Sequence, residues 1–114
     1  MGDCPFCRIV QGKAPAQVVY EDEVLIGIRD INPQAPLHCL FIPRNHYENI
    51  IDAVEKDENL VGKLFAAAVG YAKKVGLDYR GFRLVVNCGR DGGQTVGHLH
   101  VHLLGNRRMT WPPG

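Results

Sequence analysis

Hydrophobic and polar residues alternate strictly near the end of the chain, in the run Gly97-His-Leu-His-Val-His-Leu-Leu104. This two-residue period is typical of a half-buried strand, because successive side chains on a strand point to opposite faces. We therefore predict a strand over residues 98–104. The intervening apolar residues should face a core, and the three histidines His98, His100 and His102 should project together from the opposite face.

The rest of the chain predicts four more strands and two helices. β-Branched and apolar runs predict strands over residues 18–20, 24–30, 38–42 and 82–88. Apolar residues at helical spacing predict a long amphipathic helix over residues 57–75, ended by Gly76. A short helix is predicted over residues 5–11, capped by Asp3 and ended by Gly12. This order, with short links, predicts an α+β fold, in which a five-stranded antiparallel sheet carries one long helix in a single domain over residues 1–114.

Composition excludes several classes of function. The chain has 114 residues, 46% of them hydrophobic and 22% charged, with a formal net charge of +1. A nearly neutral chain without a basic stripe argues against nucleic-acid binding. No apolar run approaches the roughly 20 residues that cross a bilayer, and the first residues lack the pattern of a signal peptide. We expect a cytoplasmic protein that does not enter membranes.

The cysteines divide into two groups. Cys39 and Cys88 lie in apolar runs, which indicates small buried side chains. Cys4 and Cys7 form a Cys-x-x-Cys pair. In a reducing compartment such a pair points to metal binding or redox chemistry rather than to a structural disulfide.

A glycine-rich loop, residues 89–97, directly precedes the alternating histidines and contains Gln94 and Thr95. Glycine lets the backbone approach an anion closely, and the amide and hydroxyl add donors. Imidazoles, which titrate near neutral pH, serve either as metal ligands or as acids, bases and nucleophiles. Spacing alone leaves both alternatives open.

The run His98-Leu-His-Val-His-Leu-Leu104 resembles the signature of the histidine triad (HIT) superfamily. Three other segments resemble its nucleotide-binding branch, HINT: Asp30-Ile-Asn-Pro-Gln-Ala-Pro-Leu-His38, Asp91-Gly-Gly-Gln-Thr95 and Trp111-Pro-Pro-Gly114. The resemblance covers essentially the whole chain. It implies a HIT-like fold and a homodimer in which the sheets of the two subunits form one continuous sheet.

The resemblance also implies an activity, the hydrolysis of the P–N bond of purine nucleoside 5'-phosphoramidates or of aminoacyl-adenylates, with release of AMP or GMP. His100 would attack the α-phosphorus and form a nucleotidyl-histidine intermediate. His102 and Thr95 would hold the phosphate or help to protonate the leaving group, and His38 would relay protons. No organic cofactor is implied. The implied nucleotide contacts are Asp30 to the ribose, Ile28 and Ile31 to the base, Asn87, Gly93, Gln94, Thr95, His100 and His102 to the phosphate, and Trp111 reaching the partner's site.

Relatives with an N-terminal cysteine pair imply a structural zinc site, in which His46 and His98 would complete a set of four ligands with Cys4 and Cys7. One position departs from the resemblance. Gly97 stands where many relatives carry a large aromatic residue, which would alter the pocket or the dimer contact.

Two other functions compete with the phosphoramidase. One is a metallohydrolase in which His98 and His100 bind a catalytic metal. The other is a nucleotide-sensing or scaffold protein whose hydrolysis is vestigial.

Overall fold

The computed structural model describes residues 3–114, in which a sheet of five strands carries helices on both faces. The strand order is β1-β2-β3-β5-β4, and every neighbouring pair is antiparallel. The predicted α+β class is confirmed. The elements are α1 (Pro5–Val10), β1 (Val18–Glu21), β2 (Leu25–Arg29), β3 (Leu37–Pro43), α2 (Ile50–Lys56), α3 (Leu60–Lys74), α4 (Leu77–Arg80), β4 (Phe82–Val86) and β5 (Val101–Gly105).

The long helix α3 covers one face of the sheet. Its buried residues Leu60, Leu64, Ala68 and Ala72 pack in one cluster with Leu99, Val101 and Leu103. The predicted direction of the alternating apolar residues is therefore confirmed. Strand β3, at the centre of the sheet, is buried along its whole length. It reads as a continuous apolar run because both of its faces are covered.

The short helix α1 covers the other face. Phe6 packs there with Ile26, Ile28, Leu40 and Ile42 in a second apolar cluster. His98 and His100 project towards this face and contact the Phe6 ring edge-on, at centroid distances of 5.7 and 5.1 Å. The two faces of the sheet thus serve different purposes, since the α3 face holds the larger apolar cluster and the α1 face holds the histidines.

The structure corrects several local predictions. Cys4, not Asp3, caps α1, because the Cys4 Sγ accepts a hydrogen bond from the Cys7 backbone N–H. Strand β5 begins at Val101 rather than at residue 98, because the Leu99 N–H donates to the Tyr47 carbonyl (2.7 Å) instead of to a neighbouring strand. Cys88 is partly exposed, whereas Cys39 is buried as predicted.

Helices α2 and α4 were not predicted. Helix α2 begins after Asn49, whose side chain accepts a hydrogen bond from the Asp52 N–H at 2.9 Å. Asparagine is a strong N-cap residue, so the sequence did contain this signal. Within the described residues, no helix combines the length and the hydropathy that a membrane span requires.

Candidate active site and metal cluster

A cleft of about 450 Å³ lies on the α1 face of the sheet. Its lining combines apolar side chains, among them Phe6, Ile9, Ile28 and Leu40, with the polar side chains of Asp30, His38, Thr95, His100 and His102. An apolar cleft with a few converging polar groups is the usual form of a small-molecule site.

The ring of His100 is held in one tautomer. Its Nδ1 lies 2.7 Å from the His98 carbonyl oxygen. Because a carbonyl only accepts hydrogen bonds, Nδ1 carries the hydrogen, and the Nε2 of a neutral His100 has a free lone pair. The ring is almost completely buried, with 6% of its surface exposed, yet it lines the cleft. His100 therefore offers an oriented nitrogen nucleophile.

His38 and His102 form a second oriented pair. The Gln34 backbone N–H donates to the Nδ1 of His38 at 3.0 Å, so the hydrogen of a neutral His38 lies on Nε2. This Nε2–H donates to the Nδ1 of His102 at 2.9 Å and lies 3.4 Å from the Asp30 carboxylate. The Nε2 of His102 must then carry a hydrogen. His102 is therefore a hydrogen-bond donor next to His100, and the backbone N–H of Gln34 determines, through His38, which nitrogen of His102 carries the hydrogen.

Burial keeps these histidines neutral. Burial, reinforced by the neighbouring His100 and His38, lowers the pKa of His102 to about 4, against the opposing effect of Asp30. Burial also lowers the pKa of His38, again against the opposing charge of Asp30. At neutral pH both rings are uncharged, which the donor and acceptor pattern of the pair requires.

Four side chains from three segments converge beside this cleft. One ligand atom each from Cys4, Cys7, His46 and His98 lies within 4.8 Å of the others. The Sγ of Cys4 is 3.3 Å from the Nδ1 of His98, and the Sγ of Cys7 is 3.2 Å from the Nδ1 of His46. The two Nδ1 atoms are 3.1 Å apart. Bond lengths of about 2.0–2.3 Å in a zinc tetrahedron place neighbouring ligand atoms about 3.3–3.8 Å apart, so this group fits a metal ion of that kind.

In both histidines of this metal cluster, Nε2 is the ring nitrogen that points away from the other ligands, and it faces an acceptor. The Nε2–H of His98 donates to the Pro43 carbonyl at 3.0 Å, and the Nε2–H of His46 donates to the Glu48 carboxylate at 3.2 Å. Both Nδ1 lone pairs are therefore free for a metal. Such outer partners are typical of metal-binding histidines. Burial lowers the pKa of His98 to about 4, which keeps the ring neutral, the form that binds a metal.

The structure brings most of the predicted site residues together. The four candidate metal ligands form the cluster, and the cleft is lined by His38, Thr95, His100, His102, Asp30, Ile28 and Ile31. Ile31 lines the cleft although it is 98% exposed. Four other residues predicted to contact the nucleotide do not line the cleft, namely Asn87, Gly93, Gln94 and Trp111.

The side chains of two of these four residues are engaged in hydrogen bonds to the glycine loop and to Glu48. The Asn87 side chain donates to the Gly92 carbonyl at 2.7 Å, and the Gln94 side chain bonds to Gly89, Val96 and Glu48. Trp111 is 82% exposed. Their roles towards a nucleotide stay predictions.

Sequence reasoning missed the contribution of α1 to the cleft. Phe6 and Ile9, three positions apart on this helix, both line the cleft. Apolar residues at this spacing share one face of a helix, so the sequence held a signal. Gln34, whose backbone orients His38, carried none, because a backbone donor has no residue-specific pattern.

Comparison with known proteins identifies the class that this fold and site define. Residues 11–109 match the family model of the HIT domain. The chain belongs to this family. It is 44% identical over 112 residues to an uncharacterized HIT-like protein of Synechococcus elongatus, covering 98% of this chain and 97% of the relative.

Two solved structures are similarly close. A HIT family hydrolase from Legionella pneumophila superposes with a TM-score of 0.94 at 48% identity, covering 98% of this chain and all of that one. A histidine triad protein from Clostridium difficile gives 0.92 at 41% identity, covering 96% of each chain. The chain is therefore a HIT-domain protein with the fold of HIT family hydrolases.

Proposed function

We propose that this chain is a HINT-type nucleoside phosphoramidase, one domain over residues 1–114, that hydrolyses the P–N bond of purine nucleoside 5'-phosphoramidates. The observation that carries the proposal is the pairing of His100 and His102. His100 and His102 both line the cleft, and their ring centroids are 4.9 Å apart. The Nδ1 atoms of both rings are engaged, so a nucleophile and a donor are oriented before a substrate binds.

The mixed lining of the cleft suits a nucleoside monophosphate. We place the base against the apolar side chains of Ile28 and Phe6, where stacking and burial favour a flat ring. The ribose lies at Asp30, whose carboxylate oxygens each accept one hydrogen bond or less within the protein and keep lone pairs for hydroxyl groups. The phosphate then lies at His100, His102 and Thr95.

The reaction proceeds in two displacements. The Nε2 of His100 attacks the α-phosphorus, the P–N bond breaks, and the amine leaves with the electron pair of that bond and takes a proton from solvent. Water then attacks the phosphorus, loses a proton to solvent and returns the electron pair to Nε2, which releases the nucleoside monophosphate. The Nε2–H of His102 stabilises the negative charge on the phosphoryl oxygens during both steps. Each displacement is easier than direct hydrolysis.

We also propose a structural zinc ion in the metal cluster. When bound, it would cross-link α1, the segment after β3 and the start of the histidine run. The contacts of His98 with both cysteines and with His46 support this role. Among the described residues, no group of candidate ligands includes His100, so nothing favours the alternative in which His98 and His100 share a catalytic metal.

Substitution of the nucleophile tests the reaction. We expect His100→Asn to reduce hydrolysis of an adenosine phosphoramidate by about 10³-fold or more, while AMP affinity changes less than tenfold. The wild type should form an acid-labile adenylyl adduct that the variant lacks.

Three results would contradict this proposal. They are wild-type turnover in the variant, loss of turnover on chelation with the fold intact, and tight AMP binding by a wild type that releases no amine. The second would favour the metallohydrolase and the third the sensor.

We further propose a homodimer that pairs through β4 and α3. In the sheet that residues 3–114 form, β4 is an edge strand whose one neighbour is β5, and exposed edges are normally covered. Arg83 of β4 donates to the Thr110 carbonyl at 2.9 Å, so the tail with the exposed Trp111 leaves from this edge. Sedimentation should give twice the chain mass of 12.7 kDa. A monomer at assay concentrations would disprove the pairing.

A further inference from the structure

Glu48 lies between the metal cluster and the glycine loop and bonds to both. Its carboxylate accepts from the Nε2–H of His46 at 3.2 Å. Its backbone carbonyl accepts from the Gln94 side chain at 2.7 Å. Its own N–H donates to the Asp52 carboxylate at 3.0 Å, which fixes the residue to α2. One residue therefore connects a candidate metal ligand to the loop beside the cleft.

The Gln94 side chain continues this connection to the cleft. Its amide nitrogen donates to the carbonyls of Glu48 and Val96, and its amide oxygen accepts from the Gly89 N–H at 3.1 Å. Both amide hydrogens are used, so the group is fixed in one orientation. The bonds to Gly89 and Val96 bracket Thr95, the loop residue that lines the cleft next to the histidines. A shift of Glu48 would therefore move Thr95.

Gly97 leaves the space that the Glu48 side chain occupies. A Cβ built on Gly97 would lie 3.1 Å from the Glu48 Oε2. A single methyl group at this position requires only a small movement of the carboxylate. A large side chain would compete with Glu48 for its place beside His46. A glycine at position 97 therefore leaves room for the Glu48 carboxylate in its observed place.

We propose that Glu48 is a positioning residue that couples the metal cluster to the nucleotide cleft, so that a metal bound at Cys4, Cys7, His46 and His98 strengthens nucleotide binding. This inference rests on the proposed function. A bound metal fixes His46, which fixes Glu48 and, through Gln94, the loop carrying Thr95. A nucleotide then binds a loop that is already ordered, and by reciprocity it strengthens metal binding by the same factor.

Calorimetry on zinc-loaded and metal-depleted protein measures this coupling. Because the Glu48 side chain is 69% exposed, we expect a factor near the low end of typical couplings, with AMP binding about 5-fold tighter when zinc is present. If the depleted protein unfolds, the AMP affinities of zinc-loaded wild type and zinc-loaded Glu48→Ala are compared instead, and we expect the variant to bind AMP about 2- to 5-fold more weakly.

Substitutions test whether the coupling passes through Glu48 and Gln94. Glu48→Ala, Gln94→Ala and Gly97→Tyr should each reduce the factor at least twofold, and the remainder is the coupling carried directly by α1 and by His98. Glu48→Gln should retain the full factor, because the amide oxygen still accepts from His46. Glu55→Ala, at an exposed glutamate of α2, is the matched control and should retain the wild-type factor.

The results separate this inference from the proposed function. If zinc changes the AMP affinity of the wild type by a factor near 1 while AMP binding and His100-dependent hydrolysis are intact, the coupling alone is overturned. The same holds if Glu48→Ala shows the same factor as the wild type. Failure of the wild type to bind AMP in either form would overturn both proposals.

Discussion

Two pairs of histidines, His46 with His98 and His38 with His102, lie on the same side of the sheet, and they differ in the partner that fixes the hydrogen on each ring. The nucleophile His100 follows the first pair, since its Nδ1 meets the His98 carbonyl. In the metal cluster, the Nε2 atoms of His46 and His98 meet a carboxylate and a carbonyl. In the cleft, the Nδ1 of His38 meets the Gln34 N–H. When one ring nitrogen faces an acceptor, the hydrogen of a neutral ring lies on that nitrogen, and the other nitrogen keeps a lone pair for a metal. When one ring nitrogen faces a donor, the hydrogen lies on the other nitrogen, which then acts as a hydrogen-bond donor.

This difference decides between two sites of similar composition. Asp30, His38 and His102 also bring one ligand atom each within 4.8 Å of the others, as the metal cluster does. A metal at the His38 Nε2 would have to displace the hydrogen that the Gln34 N–H holds there. The ring would then be an anion, or its hydrogen would move to Nδ1, where it would face the Gln34 N–H and that hydrogen bond would be lost. Distance alone does not separate a metal site from a hydrogen-bonded pair; the partner on the other ring nitrogen does.

Placing the same substitution in each group gives the largest expected contrast. In His46→Gln a metal-binding nitrogen is lost, so we expect zinc affinity to fall roughly 100-fold or more while kcat changes less than tenfold. In His38→Gln the amide can still donate, but the ring nitrogen that accepts from the Gln34 N–H is lost and the donor to His102 is no longer held in place. We therefore expect kcat to fall roughly 100-fold while zinc affinity stays within a factor of two. Chelator competition and phosphoramidate hydrolysis measure the two quantities.

Asn45→Gln is the matched control for this pair, because Asn45 is exposed and adjacent to His46. Neither the zinc affinity nor kcat should change in Asn45→Gln. The comparison fails if His38→Gln releases zinc, or if His46→Gln retains zinc and loses turnover.

Much of the fold could be predicted because its signals are periodic. The alternation after Gly97 located the strand with the histidines, and the helical spacing of Leu60, Leu64 and Ala68 located α3. The boundaries were less accurate where hydrogen bonds depend on distant partners. The backbone of Leu99 bonds to Tyr47, which no local pattern reveals, so the strand was predicted to start too early.

The candidate site could be predicted to the extent that its chemistry lies in side chains with a recognisable pattern. The Cys-x-x-Cys spacing drew attention to Cys4 and Cys7, whereas His46 and His98 were added from the resemblance to relatives, and the four side chains lie together. The backbone groups that orient the rings, the His98 carbonyl and the Gln34 N–H, belong to every residue type and leave no trace in sequence. Their effect depends on the fold alone, so the tautomers could not be predicted before it.

The smallest expected effect is a pH dependence that distinguishes His102 from its surroundings. The pKa of His102 is about 4 in the folded protein, against 6.5 for a histidine in water, chiefly because of burial. Between these values the unfolded chain binds a proton that the folded protein does not. The free energy of unfolding should therefore fall as the pH drops from about 6.5 to 4, and this residue should contribute no slope above that range. The pKa of His38 is lowered as well, so it adds to the same trend.

Urea unfolding of zinc-loaded wild type and His102→Gln between pH 5 and 8 isolates this contribution, because both proteins share the metal cluster and its own pH dependence cancels in the difference. The slope below pH 6.5 should be shallower in the variant, by at most about 1.4 kcal/mol per pH unit, the limit for one proton. Above pH 7 the two curves should run parallel. Equal slopes at acid pH would mean that His102 is already protonated in the folded protein, in which case its Nδ1 could not accept from His38 and the contrast between the two groups of histidines would fail.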